Sequence, residues 1–268
     1  MHTLNLYFRL IAAQVRSQMQ YRFSFWSDLL TTAMLNGMEF LTIVLLFERF
    51  GSIAGWTLGE VAFLAGMMEI SFALMDLIFS GFDYDYFANY VRLGTFDQML
   101  LRPVNITLQV LGSRFVLRRL GRVMEGSLIF AIALVLTNIH WTTARLLYLP
   151  IVLISQVLAF GSLFIFGSTI TFWTVERIEA VNILTYGGNA LMSYPMEIYP
   201  TWMRRIFTYI IPFIFMNYYP ALFFLEKPDP LGFPPIAPFL APLVGIGMLL
   251  ISLRFWQFGI NHYHSTGS

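Results

Sequence analysis

The sequence predicts an all-α integral membrane protein with six transmembrane helices, an N-terminal amphipathic helix at the membrane interface and a re-entrant hairpin before the last span. Three observations predict this class. The 268 residues are 57% hydrophobic and only 12% charged, whereas soluble domains carry about 25% charged residues. Several apolar runs have the length of about 20 residues that crosses a bilayer. One long segment rich in arginine separates two of these runs. The sequence therefore predicts a single membrane domain.

The first 24 residues are predicted to form the interface helix, and residues 25–47 the first span. Apolar residues of the first segment recur at spacings of three and four, and these are Leu4, Phe8, Ile11, Val15 and Met19. A helix with that pattern lies in the interface with its arginines directed to anionic headgroups. The first span carries Glu39 near its middle.

Residues 58–80 are predicted to form the second span, which carries Glu69 and Asp76. The two carboxylates are seven residues apart, so they lie close to one face of a helix. A charge inside the bilayer costs about 2.5–3.5 kcal/mol on insertion scales, so each side chain should face protein or water. Two interpretations stay open. The carboxylates line a polar path for a cationic or proton-coupled substrate, or they only fix helix packing through a hydrogen bond or ion pair.

Residues 81–122 form a basic insert that is predicted to lie in the cytoplasm, because positive charge resists translocation. Its arginines are Arg92, Arg102, Arg114, Arg118, Arg119 and Arg122. Arg114, Arg118 and Arg122 follow at i, i+4 and i+8, which predicts one basic face of a helix that leads into the third span. Such a face suits either a protein partner or the phospholipid surface.

A short helix is predicted near Phe96 within the insert. Thr95 and Gln98 have the spacing of a capping box, and Pro103 disfavours helix at Arg102. Phe96, Met99 and Leu100 would supply apolar anchors for the groove of a partner. Asp97 and Arg102 would orient the contact through their charges.

The remaining spans are predicted at residues 123–139, 146–172, 180–199 and 236–256. The span at 180–199 is the most polar and includes Asn182 and Asn189. Polar residues interleaved with glycines favour three interpretations of this span: one face lines the transport path, one face forms a dimer interface, or the polar residues only pack against other helices. The sequence does not choose among these.

Residues 200–235 are predicted to form a re-entrant region outside the cytoplasm. Ile206–Leu225 is apolar enough for a span, but Pro212 and Pro220 interrupt it, and proline breaks the hydrogen bonding of a helix interior. Two short helices that enter the outer leaflet and return fit this pattern where protein covers the backbone. The resulting topology has six spans with both termini inside, and it places most of the 16 Lys and Arg residues in the cytoplasm.

The sequence contains neither a metal-binding motif nor a nucleotide-binding motif. It has no cysteine, and no cluster of His, Asp and Glu has metal-ligand spacing, so neither a metal site nor another cofactor is predicted. A nucleotide-binding P-loop needs a lysine within a glycine-rich motif, but the only lysine is Lys227, between Glu226 and Pro228. We therefore expect no ATP hydrolysis, and no nucleic-acid binding, by this chain.

Four stretches give the chain a resemblance to a known family. They are GSIAGWTLGEVAFLAG at 51–66, YVRLGTFDQMLLRP at 90–103, FWTVERIEAVN at 172–182 and YPMEIYPTWMRRIFTYIIPFIFMNYYPA at 194–221. With the predicted order of elements, the chain resembles the permease subunit of an ABC transporter of the type-2 exporter class, in its small six-span group. The resemblance covers nearly the whole chain, and its motifs are architectural rather than catalytic.

The resemblance implies a permease in the bacterial cytoplasmic membrane, surrounded by lipid. A separate ABC ATPase would bind the N-terminal helix and the insert, and a second permease, identical or a sister chain, would complete the path. The implied coupling residues are Thr95, Phe96, Asp97, Gln98, Met99, Leu100 and Arg102, and the cargo stays open. The rival hypothesis is an ion- or proton-coupled secondary transporter that uses Glu39, Glu69 and Asp76, although the inverted repeats of many such folds are not visible.

Overall fold

The computed structural model describes residues 51–117, 119–176 and 179–265, together with scattered positions between 11 and 49. In these parts of the chain the regular secondary structure is helical. The predicted interface helix and first span therefore lie mostly outside the described residues, and so do Glu39 and Arg118.

The helices follow one another with short connections. In chain order they are α1 (Leu58–Ile78), α2 (Tyr84–Arg92), α3 (Thr95–Leu100), α4 (Ile106–Ser113), α5 (Arg119–Leu136), α6 (Thr143–Thr174), α7 (Glu179–Asn182), α8 (Gly188–Met192), α9 (Thr201–Arg205), α10 (Tyr218–Leu225) and α11 (Ala241–Asn261). A π-helical turn, Ile183–Gly187, joins α7 to α8, and another, Ile206–Ile210, extends α9.

Helix α1 is the centre of the packing, and it begins at a capping box that the sequence analysis missed. The Thr57 hydroxyl accepts a hydrogen bond from the Glu60 backbone, and the Glu60 carboxylate accepts one from the Thr57 backbone. From there the helix is buried along most of its length against α5 and α6. Gly66 contacts the Phe130 backbone and Gly126 contacts the backbone at Ile70, so α1 and α5 approach as closely as small residues allow.

Three described helices are long and apolar enough to cross a membrane, namely α1, α6 and α11. They correspond to the predicted spans at 58–80, 146–172 and 236–256. The last one begins five residues later than predicted, at Ala241, because Pro234, Pro235 and Pro238 keep the preceding segment out of a regular helix. The predicted spans at 123–139 and 180–199 correspond to α5 and to the α7–α8 segment, which do not meet the same criterion, and they remain predictions.

The region predicted to be re-entrant contains a fourth candidate span, made of the helical segments Thr201–Ile210 and Phe213–Leu225, which meet at a bend of 80° next to Pro212. Taken together the two halves have the length and composition of a span, so the bend fits either a broken span or a re-entrant loop. Asn217, fully buried, fixes the second half by donating hydrogen bonds to the carbonyls of Leu64 (3.1 Å) and Met192 (2.8 Å). Protein therefore covers the non-helical backbone at this bend.

Candidate functional site

The short helix α3 forms where the sequence predicts it, but the predicted capping box is wrong. The residue that precedes the helix is Gly94, with a left-handed φ of 65°, and it reverses the chain after α2. Thr95 is already inside the helix, where its hydroxyl donates to the Tyr90 carbonyl at 3.3 Å. The helix ends at Leu100, ahead of Pro103. A glycine turn, which needs no side-chain cap, therefore sets the start of α3.

Phe96 does not lie on the surface of α3, so its predicted role as an anchor for a partner is wrong. Its side chain is fully buried in an aromatic cluster. The ring centroids of the neighbours are 5.0 Å (Phe172), 5.1 Å (Tyr263), 5.6 Å (Phe87) and 6.2 Å (Trp256) away. Phe172 belongs to α6 and Trp256 to α11. The cluster therefore fastens the short helix α3 to the ends of α6 and α11.

The exposed face of the α3 region consists of residues at its two ends. Leu101 is 86% exposed and Leu93 is 61% exposed, and Gln98 and Arg102 are exposed beside them. Of the other predicted coupling residues, Met99 and Leu100 are half-buried against the core, and Asp97 accepts a hydrogen bond from Ser265 at 2.5 Å. The sequence analysis missed Leu93 and Leu101. The sequence could have indicated that both are exposed, because Leu93 directly precedes the turn at Gly94 and Leu101 lies two residues before Pro103.

Arginines from the insert converge on two aspartates near the end of α1. Arg119 is buried, and its guanidinium contacts Asp76 of α1 through Nε (3.0 Å) and Asp83 through Nη2 (2.7 Å). Arg114 contacts the same Asp83 oxygen at 3.1 Å, and Arg122 approaches Asp76 at 3.5 Å. We call these five residues the arginine–aspartate cluster. Asp76, a predicted path residue, is thus part of an ion-pair network, and its role in a path stays a prediction.

The predicted basic helix face at Arg114, Arg118 and Arg122 is wrong in its geometry. Arg114 has an extended backbone (φ −138°, ψ 127°) that ends α4, and α5 begins only at Arg119. Ion pairing rather than helical periodicity brings Arg114 and Arg122 together. The cluster lines a polar cavity of about 510 Å³, with Asp85, Tyr86 and Tyr186 completing the wall.

The remaining predicted path residues form two separate hydrogen-bonded sites. Asn189 donates from Nδ2 to Glu69 Oε1 at 3.1 Å, which joins α8 to the middle of α1. Asn182 accepts a hydrogen bond from the Tyr84 hydroxyl at 2.5 Å and donates to Glu179. The structure therefore brings Glu69 and Asn189 together, whereas Asn182 pairs with the insert.

A second group of charges lies at the opposite end of α1. Lys227 contacts Glu60 at 2.9 Å, and Arg145 contacts Glu226 at 2.6 Å. The hydrogen bond and positive charge of Arg145 hold the pKa of Glu226 below its ordinary value. Glu60 and Asp76 are separated by about 24 Å of helix at 1.5 Å per residue. This separation is similar to the ~30 Å hydrocarbon core of a bilayer, so charged groups mark both ends of an apolar slab.

These features describe a helical membrane protein whose basic insert is bound to its spans, and comparison with known proteins identifies its family. Residues 33–267 match the family described as ABC-2 family transporter protein. No curated protein and no solved structure matches the chain. Because the family match extends over far more than half of its length, the chain belongs to the ABC-2 family of transporter proteins, whose members are integral membrane proteins.

Proposed function

We propose that this chain is the permease subunit of an ATP-driven exporter in the bacterial cytoplasmic membrane, with both termini in the cytoplasm. Two permeases, identical or sister chains, form the translocation path, and a separate ABC ATPase drives them. ABC-2 membership supports the permease role. The absence of a P-loop supports a division of labour in which the partner hydrolyses ATP.

The observation that carries the coupling proposal is the double attachment of the insert to the membrane helices. Phe96 ties α3 to α6 and α11 through the aromatic cluster. Arg119 ties Asp83, just before α2, to Asp76 of α1. A close-packed contact transmits displacement because it is not continuously deformable. Force applied to α3 by a soluble partner would therefore reach three membrane helices.

The partner would contact α3 through its exposed face rather than through Phe96. Leu93 and Leu101 present apolar side chains, and Gln98 and Arg102 lie beside them. A few fully desolvated residues near the centre of an interface carry most of its binding energy, and the two leucines are the exposed apolar side chains available here. Charged residues at the rim mainly set orientation. The rival explanation is attraction of the basic insert to anionic lipid, which depends on the arginines and tolerates changes of the leucines.

The experiment separates these explanations with matched substitutions. The tagged chain is purified from native membranes, and the amount of co-purifying P-loop ATPase is measured by mass spectrometry together with ATP hydrolysis. The double variant L93A/L101A should lose about tenfold or more of the bound ATPase, as expected for interface anchors. Arg102→Gln should have a smaller effect. Leu128→Ala, which alters a 62% exposed leucine on α5, is the control.

Normal ATPase recovery and normal export by L93A/L101A would refute the coupling role of α3. Membrane insertion is expected to be unchanged in all of these variants, because the altered side chains are exposed. The chain purified alone is expected to hydrolyse no ATP.

A further inference from the structure

Two adjacent residues of opposite charge follow α10 and contact the beginnings of two different long helices. The ammonium group of Lys227 lies 2.9 Å from the carboxylate of Glu60, in the first turn of α1. The guanidinium group of Arg145, in the first turn of α6, lies 2.6 Å from the carboxylate of Glu226. Because neighbouring residues form the two ion pairs, α1 and α6 are joined to each other through the end of α10.

Further contacts hold the two cations in place. Lys227 also donates to the carbonyl oxygen of Gly55 at 3.3 Å, and its ammonium group lies 4.9 Å from the ring centroid of Trp56. Arg145 donates to the carbonyl oxygen of His140 at 2.6 Å, and its side chain is only 11% exposed. A cation that is already fixed loses little further freedom when it pairs. These two ion pairs therefore lack much of the entropic cost that weakens ordinary surface pairs.

The backbone between the two ion pairs is strained. Glu226 ends α10 with a left-handed φ of 55°, a conformation that helix ends usually assign to glycine. Strained residues persist only where the surrounding structure holds them, and they cluster in ligand clamps and switch regions. The ion pair with Arg145 is a contact that a glycine could not make, and it accounts for a glutamate at this strained position.

The two ends of α10 are held by different chemistry. Next to its first residue, the fully buried Asn217 donates hydrogen bonds to the carbonyl oxygens of Leu64 and Met192. At its other end, the side chain of Glu226 is 52% exposed, so water competes for its ion pair. The exposed end of α10 is therefore the end that releases at lower cost, and the buried end is a fixed pivot.

We propose that Glu226 and Lys227 form a latch that holds the beginnings of α1 and α6 together, and that release of this latch opens this end of the protein. Gating segments of this kind turn about a few residues at the ends of helices and loops. The strained turn at Glu226 favours release once an ion pair is broken, because the contacts that hold it are then lost. The inference rests on the proposed function for one point, namely that this end faces the outside and opens during export.

The latch is tested by distance measurement on the full chain in nanodiscs. The chain has no cysteine, so Ser52→Cys and Ala144→Cys place two spin labels at exposed positions near the beginnings of α1 and α6. Double electron–electron resonance then measures the distance between the labels, and we expect one predominant distance with the latch intact. Lys227→Met and Glu226→Gln should each raise the population of a longer distance about two- to fivefold, as expected for the loss of one exposed ion pair.

Glu226→Gly distinguishes a latch from an ordinary helix end. Glycine relaxes a left-handed turn, so a residue that only ends α10 would tolerate this change or stabilise the protein. A latch residue would instead lose its ion pair with Arg145, and the longer distance should become more populated. Unchanged distances in Glu226→Gly, Glu226→Gln and Lys227→Met would overturn the proposal.

Two control variants protect the test from effects of misfolding. Lys227→Arg keeps the positive charge and should keep the predominant distance. Glu176→Gln removes an exposed carboxylate just after the other end of α6 and should also leave the distance unchanged. If either control lengthened the distance as much as Lys227→Met does, the effect would be general loosening, and the proposal would be wrong.

The complex with the co-purifying ATPase tests whether the latch releases during the transport cycle. Addition of ATP and vanadate should populate the longer distance while Glu226 and Lys227 are unaltered, and an unchanged distance would contradict the proposal by making the pair a static brace. The variants are measured without ATPase or nucleotide. Their failure would therefore leave the permease function untouched, and loss of ATPase binding by L93A/L101A would leave the variant distances untouched.

Discussion

The ring of Phe96 lies 5.0 Å from the ring of Phe172, so the six-residue helix α3 is packed against the end of the 32-residue helix α6. Trp256 of α11 contacts both rings. Aromatic pairs of this kind contribute about 0.5–1.5 kcal/mol each beyond the burial of their area. Phe96 therefore anchors α3 to the protein interior, and in the proposed coupling the exposed leucines would contact the partner.

Replacing Phe96 by Ala should destabilise the protein, because it leaves a cavity among four aromatic rings. The expected loss is about 3–5 kcal/mol, as for buried aromatic residues in general. Thermal unfolding in detergent measures it, with Leu101→Ala as the exposed control, which should change stability by less than about 0.5 kcal/mol. Equal stability of the two variants would show that Phe96 is not packed as described.

Removing Arg119 should be costly because the buried Asp76 carboxylate would keep only its longer contact with Arg122, at 3.5 Å. Asp76 is 2% exposed, and breaking one side of a buried ion pair typically costs about 3–5 kcal/mol. The double variant D76N/R119Q removes both charges and should be more stable than R119Q alone. Thermal unfolding of the four proteins of this cycle provides the coupling energy. If R119Q and D76N/R119Q unfold at the same temperature, the two residues do not interact.

Two glycines of α11 should respond in opposite ways to the same substitution. A methyl group at Gly245 would lie 2.5 Å from the carbonyl oxygen of Ser155 in α6, whereas one at Gly247 would meet nothing within 4 Å. Gly245→Ala should therefore separate α11 from α6 at a cost of about 1–3 kcal/mol. Gly247→Ala should be neutral or slightly stabilising, since alanine favours helix. Unfolding in detergent compares the two, and a neutral Gly245→Ala would contradict the close packing of these helices.

Hydropathy predicted the parts of the fold that depend on composition alone. The helices α1, α6 and α11 correspond to long apolar runs, and α3 lies between a glycine and a proline that punctuate the chain. Helical periodicity gave wrong predictions where tertiary contacts determine which side chains are buried. Nothing local distinguishes Phe96 from Leu101, and only the folded arrangement of Phe172, Trp256 and Tyr263 makes one buried and the other exposed.

In the candidate site, too, the sequence identified individual residues but not their contacts. The carboxylates Glu69 and Asp76 were recognised because charge is rare in apolar runs, but their partners lie far away in the sequence. Asn189 is 120 residues from Glu69, and Arg119 is 43 residues from Asp76. Sequence spacing cannot show such pairings, and only the structure supplies them. It pairs Asp76 with Arg119 and Glu69 with Asn189, whereas the choice between a packing role and a path role stays open.

The two helical segments that meet at the bend next to Pro212 lead to a prediction about membrane topology, which cysteine labelling can test. In a re-entrant hairpin both ends lie on the outer side, whereas in a broken span they lie on opposite sides. The chain has no cysteine, so single cysteines need no background removal. Thr201 and Pro228 flank the pair and are exposed. Pro228 is a better position than Asp229, whose carboxylate accepts hydrogen bonds from the backbones of Leu231 and Phe233.

We expect cysteines at 201 and 228 both to react with an impermeant maleimide in intact cells. Gln98→Cys, on the exposed face of α3, should react only after permeabilisation and serves as the cytoplasmic control. The physical reason is the bend of 80°, which Asn217 holds in place through its hydrogen bonds to Leu64 and Met192. Labelling of position 228 in intact cells with position 201 protected until permeabilisation, or the reverse, would show instead that the pair crosses the membrane as one broken span.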